Sequence, residues 1–260
     1  MSVREYYNEY WTESGFCPSG SDDSTLRDLL TSHLPEGKRI LDLGCGDGLN
    51  AGKILTDLGD YVGVDVSETA VKSARQNGYD ASLIEDAVDL PFDDETVDAV
   101  VSMEVIEHLM FPLRAVEEVS RILKPGGIVL LTTPNIAYWR LRLDMLFRGR
   151  WNPLGDTLAV QEPWRDPHIR FFTTASMRGM LNSAGLEVLD VGGIKGRFLM
   201  SLPGAQSVFG RRFSGDSSWV YRKLEKKFPS LLSNRLFGVA RKPLVASVEN
   251  TIENRVREAA

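Results

Sequence analysis

Cysteine and histidine are both scarce in this 260-residue chain, which holds only Cys17 and Cys45 of the first and His33, His108 and His168 of the second. Two cysteines this far apart, one of them inside a glycine-rich loop, supply neither a disulfide framework nor a thiolate zinc site, and such usage fits a reducing compartment. No apolar run is long enough to span a bilayer. The N-terminal MSVREYYNEYW lacks the basic-then-apolar pattern of a secretory signal. Internal repeats and low-complexity tracts are missing too. These absences exclude a disulfide-stapled module, an integral membrane protein and a solenoid, and set the expectation of a cytoplasmic protein. With 43% of its residues hydrophobic, the chain can bury a full core as one large domain with an appended segment.

The formal net charge of −6 conceals a split. Residues 1–190 hold 17 Lys/Arg against 31 Asp/Glu, and residues 191–260 hold 13 against 5, so the balances are −14 and +8. A basic end of this kind marks either an interaction surface or a solvated basic helix, and composition does not separate the two.

Along the chain, short apolar runs alternate with stretches of helical spacing. KRILDLG (38–44) is a strand ending in glycines, and LNAGKILTDLG spaces Ala51, Ile54, Leu55 and Leu58 as a helix does. YVGVDVS, ASLIEDA and VDAVVSM are further strands, with SETAVKSARQNG a helix stopped by Gly78. FPLRAVEEVSRILKPGG starts a helix with Pro112 and stops it with Pro-Gly-Gly before the strand IVLLTTPN. GLEVLDVGG and RLFGVARKP (235–243) read as the sixth and seventh strands. Alternation of this kind predicts parallel strands joined by crossover helices, with ligands at the carboxyl ends of the strands.

The loop DLGCGDG (42–48) follows the first strand, and glycines at 44, 46 and 48 let backbone approach a ligand closely. Asp65 ends the second strand 21 residues beyond Gly44, where an acid holds a ribose hydroxyl pair. A dinucleotide loop needs a third glycine where this chain has Leu49, and the acidic Asp42 and Asp47 suit an amino group better than a pyrophosphate. A dinucleotide oxidoreductase is therefore disfavoured.

Four motifs in order, ILDLGCGDG, VGVDVS, EDAVDLPFDDETVDAVVSMEVIEHL and RILKPGGIVLLTTPN, resemble the class I S-adenosylmethionine-dependent methyltransferases. The likeness covers about residues 36–190 and is to the type 11 group, especially the ubiquinone-biosynthesis O-methyltransferases. It implies a Rossmann-like α/β fold: a seven-stranded, mostly parallel sheet with helices on both faces, plus a cap and a C-terminal insertion. The expected organisation is N-terminal lid helices over 1–35 and a cofactor-binding core over 36–190 with a cap insertion at 134–172. Residues 191–260 then supply an insertion, the last strand and a C-terminal helix. By the same resemblance, Asp42, Gly44 and Gly46 surround the methionine portion of S-adenosylmethionine, Asp65 grips its ribose, Val66 packs on adenine, and Met103 closes the site beside the sulfonium. Asp86 matches the acid that accepts from the adenine amino group, and Ala87 offers backbone; capping a turn is the other use of Asp86.

SMEVIEHLM (102–110) places Glu104, Glu107 and His108 just after a buried strand. If a helical turn begins there, the three share one face, with Val105 and Ile106 turned to the sheet. Acids favour a helix start, and His108 paired with one of them would be a purely structural arrangement. The pattern Glu-x-x-Glu-His, however, is shared with the ubiquinone-pathway enzymes and with small-RNA 2′-O-methyltransferases, where these residues are associated with a divalent metal. In the RNA enzymes a second histidine completes the site; here DPHIRFF supplies His168. Glu104, Glu107, His108 and His168 would make a mixed oxygen and nitrogen set suited to Mg²⁺, Mn²⁺ or Fe²⁺. Without a metal, His108 is the general-base candidate, with Glu104 and Glu107 as positioning groups.

Two segments remain open. EYYNEYW, with Tyr6, Tyr7, Tyr10 and Trp11, is either an aromatic lid or a helix packed on the core. Within the basic insertion, over 211–228, Val220, Leu224, Phe228 and Leu231 space helically beside Trp219, Tyr221, Arg222, Lys223, Lys226 and Lys227; this stripe either meets an anionic membrane surface or packs on the domain. The chain is thus expected to be a methyltransferase acting on a hydroxyl oxygen of a small-molecule, sugar or lipid-linked acceptor, with metal assistance. A metal-independent enzyme acting on a quinone-type phenol or a nitrogen is the alternative, and a cofactor-binding partner protein without catalysis a further one. A nucleic-acid acceptor is disfavoured.

Overall fold

The alternating pattern resolves into a single seven-stranded sheet. The structure, a computed structural model, describes residues 2–14, 24–149, 167–194 and 227–244. Strands β1 (Arg39–Leu43), β2 (Asp60–Asp65), β3 (Ala81–Leu83), β4 (Val97–Met103), β5 (Leu123–Pro134), β6 (Glu187–Ile194) and β7 (Arg235–Arg241) stand in the order β3-β2-β1-β4-β5-β7-β6. The first five are mutually parallel, and β7 runs antiparallel to both of its neighbours. Helices α1 (Val3–Ser14) and α2 (Ser24–His33) precede the sheet. Between the strands come α3 (Gly52–Leu58), α4 (Glu68–Gln76), α5 (Pro112–Ile122), α6 (Trp139–Arg148), α7 (Thr174–Ser183) and the single turn α8 (Pro229–Leu232).

Parallel neighbours require crossovers, and crossovers cover both faces of the sheet with helices, so its central strands are apolar on both sides. Leu41 and Leu43 of β1 and Val100 of β4 join one core layer with Ala115, Val116, Val119 and Ile122 of α5 and Met177 and Leu181 of α7. Ile40, Ala99 and Val101 alternate to the opposite layer, against Leu26, Leu29 and Leu30 of α2 and Ile54, Leu55 and Leu58 of α3. α5 forms where Pro112 supplies a first-turn residue that needs no N–H partner, and its four buried residues recur at helical spacing. α7 is started by a capping box in which Thr173 and Ser176 exchange side-chain to backbone hydrogen bonds.

The Pro-Gly-Gly that reads as a break after α5 lies inside β5 instead. Leu123 pairs with Val97, Ile128 pairs with Ala99, and residues 124–127 bulge between them. Glycine is needed at 127, where a Cβ would stand 2.8 Å from the Lys124 carbonyl and 3.0 Å from that of Asp98.

Of the 134–172 cap, the structure describes α6, none of whose residues is fully buried, and a parallel bridge from Asn135 to Phe172. Residues 150–166 and 195–226 fall outside the described part, and with them Arg222, Lys223 and Lys226 of the basic stripe; so does the helix expected after β7. Among the described residues no helix is long and apolar enough to cross a membrane.

A fully buried side chain ties the end of β5 to the approach to β7. Asn135 donates through Nδ2 to the carbonyls of Ser233 at 2.6 Å, Ser230 at 3.0 Å and Pro229 at 3.4 Å, and its Oδ1 accepts from the Ala137 N–H at 3.0 Å. Its own N–H donates to Asn234 O at 2.9 Å. Asn135→Ala should strand these groups and cost about 2 to 3 kcal/mol in urea-induced unfolding. A loss below about 0.5 kcal/mol would show that the knot is not structural.

Candidate active site

β2, β1, β4 and β5 lie side by side, so the residues that follow Asp65, Leu43, Met103 and Pro134 collect at one edge of the sheet. The chain reverses its direction of travel across the sheet between β1 and β4, and the crevice opens there.

In the glycine loop after β1, Gly44 and Cys45 both donate to the Val64 carbonyl, at 2.8 and 3.0 Å, and fold the loop back toward β2. Gly44 (φ +78°) and Gly46 (φ +56°) take left-handed backbone. A Cβ at 44 would strike Val105, and one at 46 would lie 2.6 Å from the Trp11 indole. Asp65 fastens the loop: its Oδ2 accepts from the Gly46 N–H at 3.0 Å and its Oδ1 from the Ser67 N–H at 2.9 Å. Burial raises the pKa of this carboxyl, and the backbone donors oppose the rise. Asp42 is buried below the loop, accepting from the Tyr61 hydroxyl at 3.2 Å. Val66 is half-buried, while Ala87 and Met103 are buried. Asp86 is exposed, and its Oδ1 accepts from the Val88 N–H at 3.2 Å.

α1 lies across these loops, and none of its described side chains joins either core layer. Asn8 Oδ1 accepts from Ser67 Oγ at 2.9 Å and from the Thr69 N–H at 3.3 Å, and Arg4 pairs with Glu85 at 2.9 Å. Further along the helix, Trp11 covers Gly46, and the Tyr7 ring meets the His108 ring edge-on with centroids 6.1 Å apart. The Tyr7 phenol is held in its neutral form by burial first, then by Tyr6 and by the charges of Glu107 and Asp65. It therefore stands between the cofactor loop and the acidic cluster.

That cluster departs from expectation in one respect. Residues 106–108 form a 3₁₀ turn, and Glu104 before it takes left-handed backbone (φ 56°), so no α-turn starting at Glu104 aligns the three side chains. Glu104 turns to β5 and β7 instead: Oε1 accepts from Thr132 Oγ1 at 2.9 Å, and Oε2 is 3.6 Å from Arg235 Nε. Glu107 is 1% exposed, and neither carboxylate oxygen has a hydrogen bond. Its Oε1 stands 3.8 Å from His108 Nε2 and 3.9 Å from His168 Nε2, and the two imidazole centroids are 4.5 Å apart. Backbone bonds bring in the distant histidine. The Glu107 carbonyl accepts from Ile169 and Arg170 at 3.0 and 2.9 Å, and His108 Nδ1 lies 3.2 Å from the Pro167 carbonyl. Burial first, and Glu104 second, push the Glu107 carboxyl well above the ordinary range. Three of the four expected ligand residues thus offer atoms within 4.8 Å of one another, and Glu104 stands outside that group. Sequence reading did not find Arg235, Thr132 or Asn8, which reach the site only through strand register and helix placement.

Residues 41–131 match a family model described as a methyltransferase domain. A ubiquinone biosynthesis O-methyltransferase of Dinoroseobacter shibae is 32% identical over 176 residues, 65% of this chain and 67% of that protein. The chain belongs to the class I S-adenosylmethionine-dependent methyltransferases. A probable S-adenosylmethionine-dependent methyltransferase of Mycolicibacterium smegmatis is also 32% identical, over 63% of this chain, which spans little more than half (57%) of that relative's length. The fold is shared with the solved structure of Haemonchus contortus phosphoethanolamine N-methyltransferase 2, with a TM-score of 0.62 at 19% identity over 94% of this chain and 60% of that one.

The buried Asp42 couples stability to pH. Burial, reinforced by Asp65 and opposed by the Tyr61 hydroxyl, raises Asp42 to about 7. A raised pKa means that the folded state prefers the protonated form, so this contribution to stability is complete below about pH 4 and is lost as pH rises through about 7. Asp42→Asn keeps an acceptor for Tyr61 and removes the titration. Urea unfolding at pH 5 and pH 8 should show a smaller fall in stability for the variant, by an amount on the order of a few kcal/mol. Equal falls in both proteins would remove Asp42 as the source.

Proposed function

We propose that this methyltransferase transfers the methyl group of S-adenosylmethionine to a hydroxyl oxygen of a small-molecule, sugar or lipid-linked acceptor, assisted by a divalent cation held by Glu107, His108 and His168. One observation carries the reading: a carboxylate 1% exposed, with no hydrogen bond, facing two imidazole Nε2 atoms at 3.8 and 3.9 Å. Those gaps are too long for hydrogen bonds, yet shorter than the roughly 4 Å that two metal–ligand bonds of about 2.0 to 2.2 Å can span. An Nδ1–H donated by His108 to the Pro167 carbonyl would leave Nε2 with its lone pair toward Glu107, a common support for a ligating histidine. Two nitrogens and a carboxylate suit Mn²⁺ or Fe²⁺ better than the oxygen-seeking Mg²⁺ and leave positions for acceptor oxygens. The O-methyltransferase name of the Dinoroseobacter relative supports oxygen as the accepting atom.

In this reading Asp42, Gly44 and Gly46 line the methionine portion of the cofactor, and Asp65 accepts from the ribose hydroxyls. Val66 packs on adenine, Asp86 and Ala87 meet its edge, and Met103 lies beside the sulfonium. A bound divalent ion would supply stabilisation of the developing alkoxide. Tyr7 and Trp11 exclude water from above, and the Glu107 cluster orients the acceptor hydroxyl in line with the methyl carbon. Transfer forms the oxygen–carbon bond, breaks the carbon–sulfur bond of the cofactor and releases the hydroxyl proton. The His108 contact to Pro167 also supports a second reading, in which Nε2 itself takes that proton with no metal present.

Asp65→Ala should weaken S-adenosylhomocysteine binding by about 1.5 to 3 kcal/mol in calorimetry, through loss of charge-assisted hydrogen bonds. Unchanged affinity would displace Asp65 from the ribose. For the acceptor side, methyl transfer to a panel of phenols, sugars and lipid-linked alcohols should stop on chelation and return with Mn²⁺ or Fe²⁺. Glu107→Ala, His108→Ala and His168→Ala should each lose most activity, commonly several kcal/mol in the barrier. Full activity in chelated, metal-free protein would leave the general-base reading, in which His168→Ala is mild and His108→Ala removes the imidazole-range limb of the kcat/KM profile.

A further inference from the structure

One face of α1 crosses the loops that follow three adjacent strands. After β3, Arg4 donates to the Ile84 carbonyl at 3.3 Å and pairs with Glu85 at 2.9 Å; after β2, Asn8 reaches Ser67 and Thr69; after β1, Trp11 lies on Gly46. Positions 4, 8 and 11 share a helix face, and the chain rises about 10.5 Å from the first to the last, close to the roughly 9.6 Å between the outer two of three neighbouring strands. The helix therefore crosses the strand ends in step with them. None of residues 2–12 is fully buried, so the helix can leave without opening the core. The three contacts are unequal. Glu85 is 88% exposed, so its pair with Arg4 holds little, and the ring contact of Trp11 with Gly46 has no preferred direction. Asn8 is directional: its Oδ1 accepts from Ser67 Oγ at 2.9 Å and from the Thr69 N–H at 3.3 Å, and Ser67 is fully buried. Ser67 and Gly46 are also the two residues whose N–H groups Asp65 accepts, so α1 spans from outside the same pair of loops that Asp65 fastens from within.

We propose, building on the placement of the cofactor at Asp65 and Gly46 given above, that Asn8 is a positioning residue that latches α1 across the S-adenosylmethionine crevice, and that this latch sets the rate of cofactor exchange. The cofactor lies along the loops that α1 crosses, so the helix must lift before the cofactor enters or leaves. Both Asn8 bonds are made to protein groups and neither to a ligand, so they favour the seated helix equally with and without cofactor. A contact that does not distinguish the two states leaves the binding equilibrium where it was. Weakening it speeds entry and exit alike.

The test measures association and dissociation of S-adenosylhomocysteine by surface plasmon resonance on the immobilised full chain, with no turnover needed. The proteins are the parent, Asn8→Ala and Asn8→Asp, the last keeping an acceptor at the same reach for Ser67 and Thr69. In Asn8→Ala both rate constants should rise together by about threefold or more while the dissociation constant moves less than about twofold; Asn8→Asp should return both rates to the parent values. The urea midpoint should stay at the parent value in all three, because α1 lies outside the core. Parent-like rates in Asn8→Ala would overturn the proposal. Faster dissociation with unchanged association would overturn it too, since Asn8 would then favour only the ligand-bound form, and so would a midpoint that falls in Asn8→Ala, which would make Asn8 part of the general fold. Equal acceleration in Asn8→Asp would show that the accepting oxygen is not the latch. No binding of S-adenosylhomocysteine by the parent would overturn the cofactor placement and this proposal together, whereas any of the other adverse results leaves that placement standing.

Discussion

An ionisable group that the fold removes from water organises the cluster that follows β4. Glu107 sits at the carboxyl edge of the central strands with no hydrogen bond to either oxygen, and isolated burial of a carboxylate is among the costliest arrangements a fold tolerates. Its surroundings answer that cost in kind: two imidazoles approach one oxygen, and its backbone carbonyl is satisfied twice over by Ile169 and Arg170. Those two backbone bonds place His168, which follows His108 by 60 residues, beside it. Raising the pKa of Glu107 lets the protein tolerate the site when the carboxyl is protonated, and a bound cation would let it stay charged.

The glycine loop follows a different logic. Asp65 is buried too, but both of its oxygens take backbone N–H groups, one from the loop after β1 and one from the start of α4. The acid therefore fixes the relative position of two loops before any ligand arrives, so that little ordering entropy is left for binding. α1 roofs these loops, held by Asn8 and Arg4 through polar contacts and by Trp11 and Tyr7 against Gly46 and His108.

Most of the sheet was legible because its signals are local. Buried strands such as RILDL and VDAVVSM are continuous apolar runs, and the glycine loop announces itself by alternate glycines ahead of an acid. The β5 bulge was misread because Pro-Gly-Gly commonly ends a helix, and only the pairing of Leu123 with Val97 shows the strand already under way. In the site, His168 was found through a pattern match, whereas the 3₁₀ turn and the left-handed Glu104 were not. Helical spacing assumes a regular turn, and the choice between 3₁₀ and α is made by long-range contacts, here Thr132 and the 167–170 segment. Arg235 carries no local signal at all, since its nearness to Glu104 depends on the antiparallel insertion of β7 between β5 and β6.

That insertion has an architectural consequence. Because β7 runs against β5 while β6 runs with it, the last residue of β6, Ile194, and the first of β7, Arg235, pair at the edge where the parallel strands finish. The connection between them begins and ends at that edge, while Val64 and Asp65, which fasten the glycine loop, belong to β2 on the far side of β4. Length and composition in that connection can change with no demand on the register of β1, β2 or β4. The fold thus separates the glycine loop and its fastenings from a connection free to diverge, and the two can evolve at different speeds.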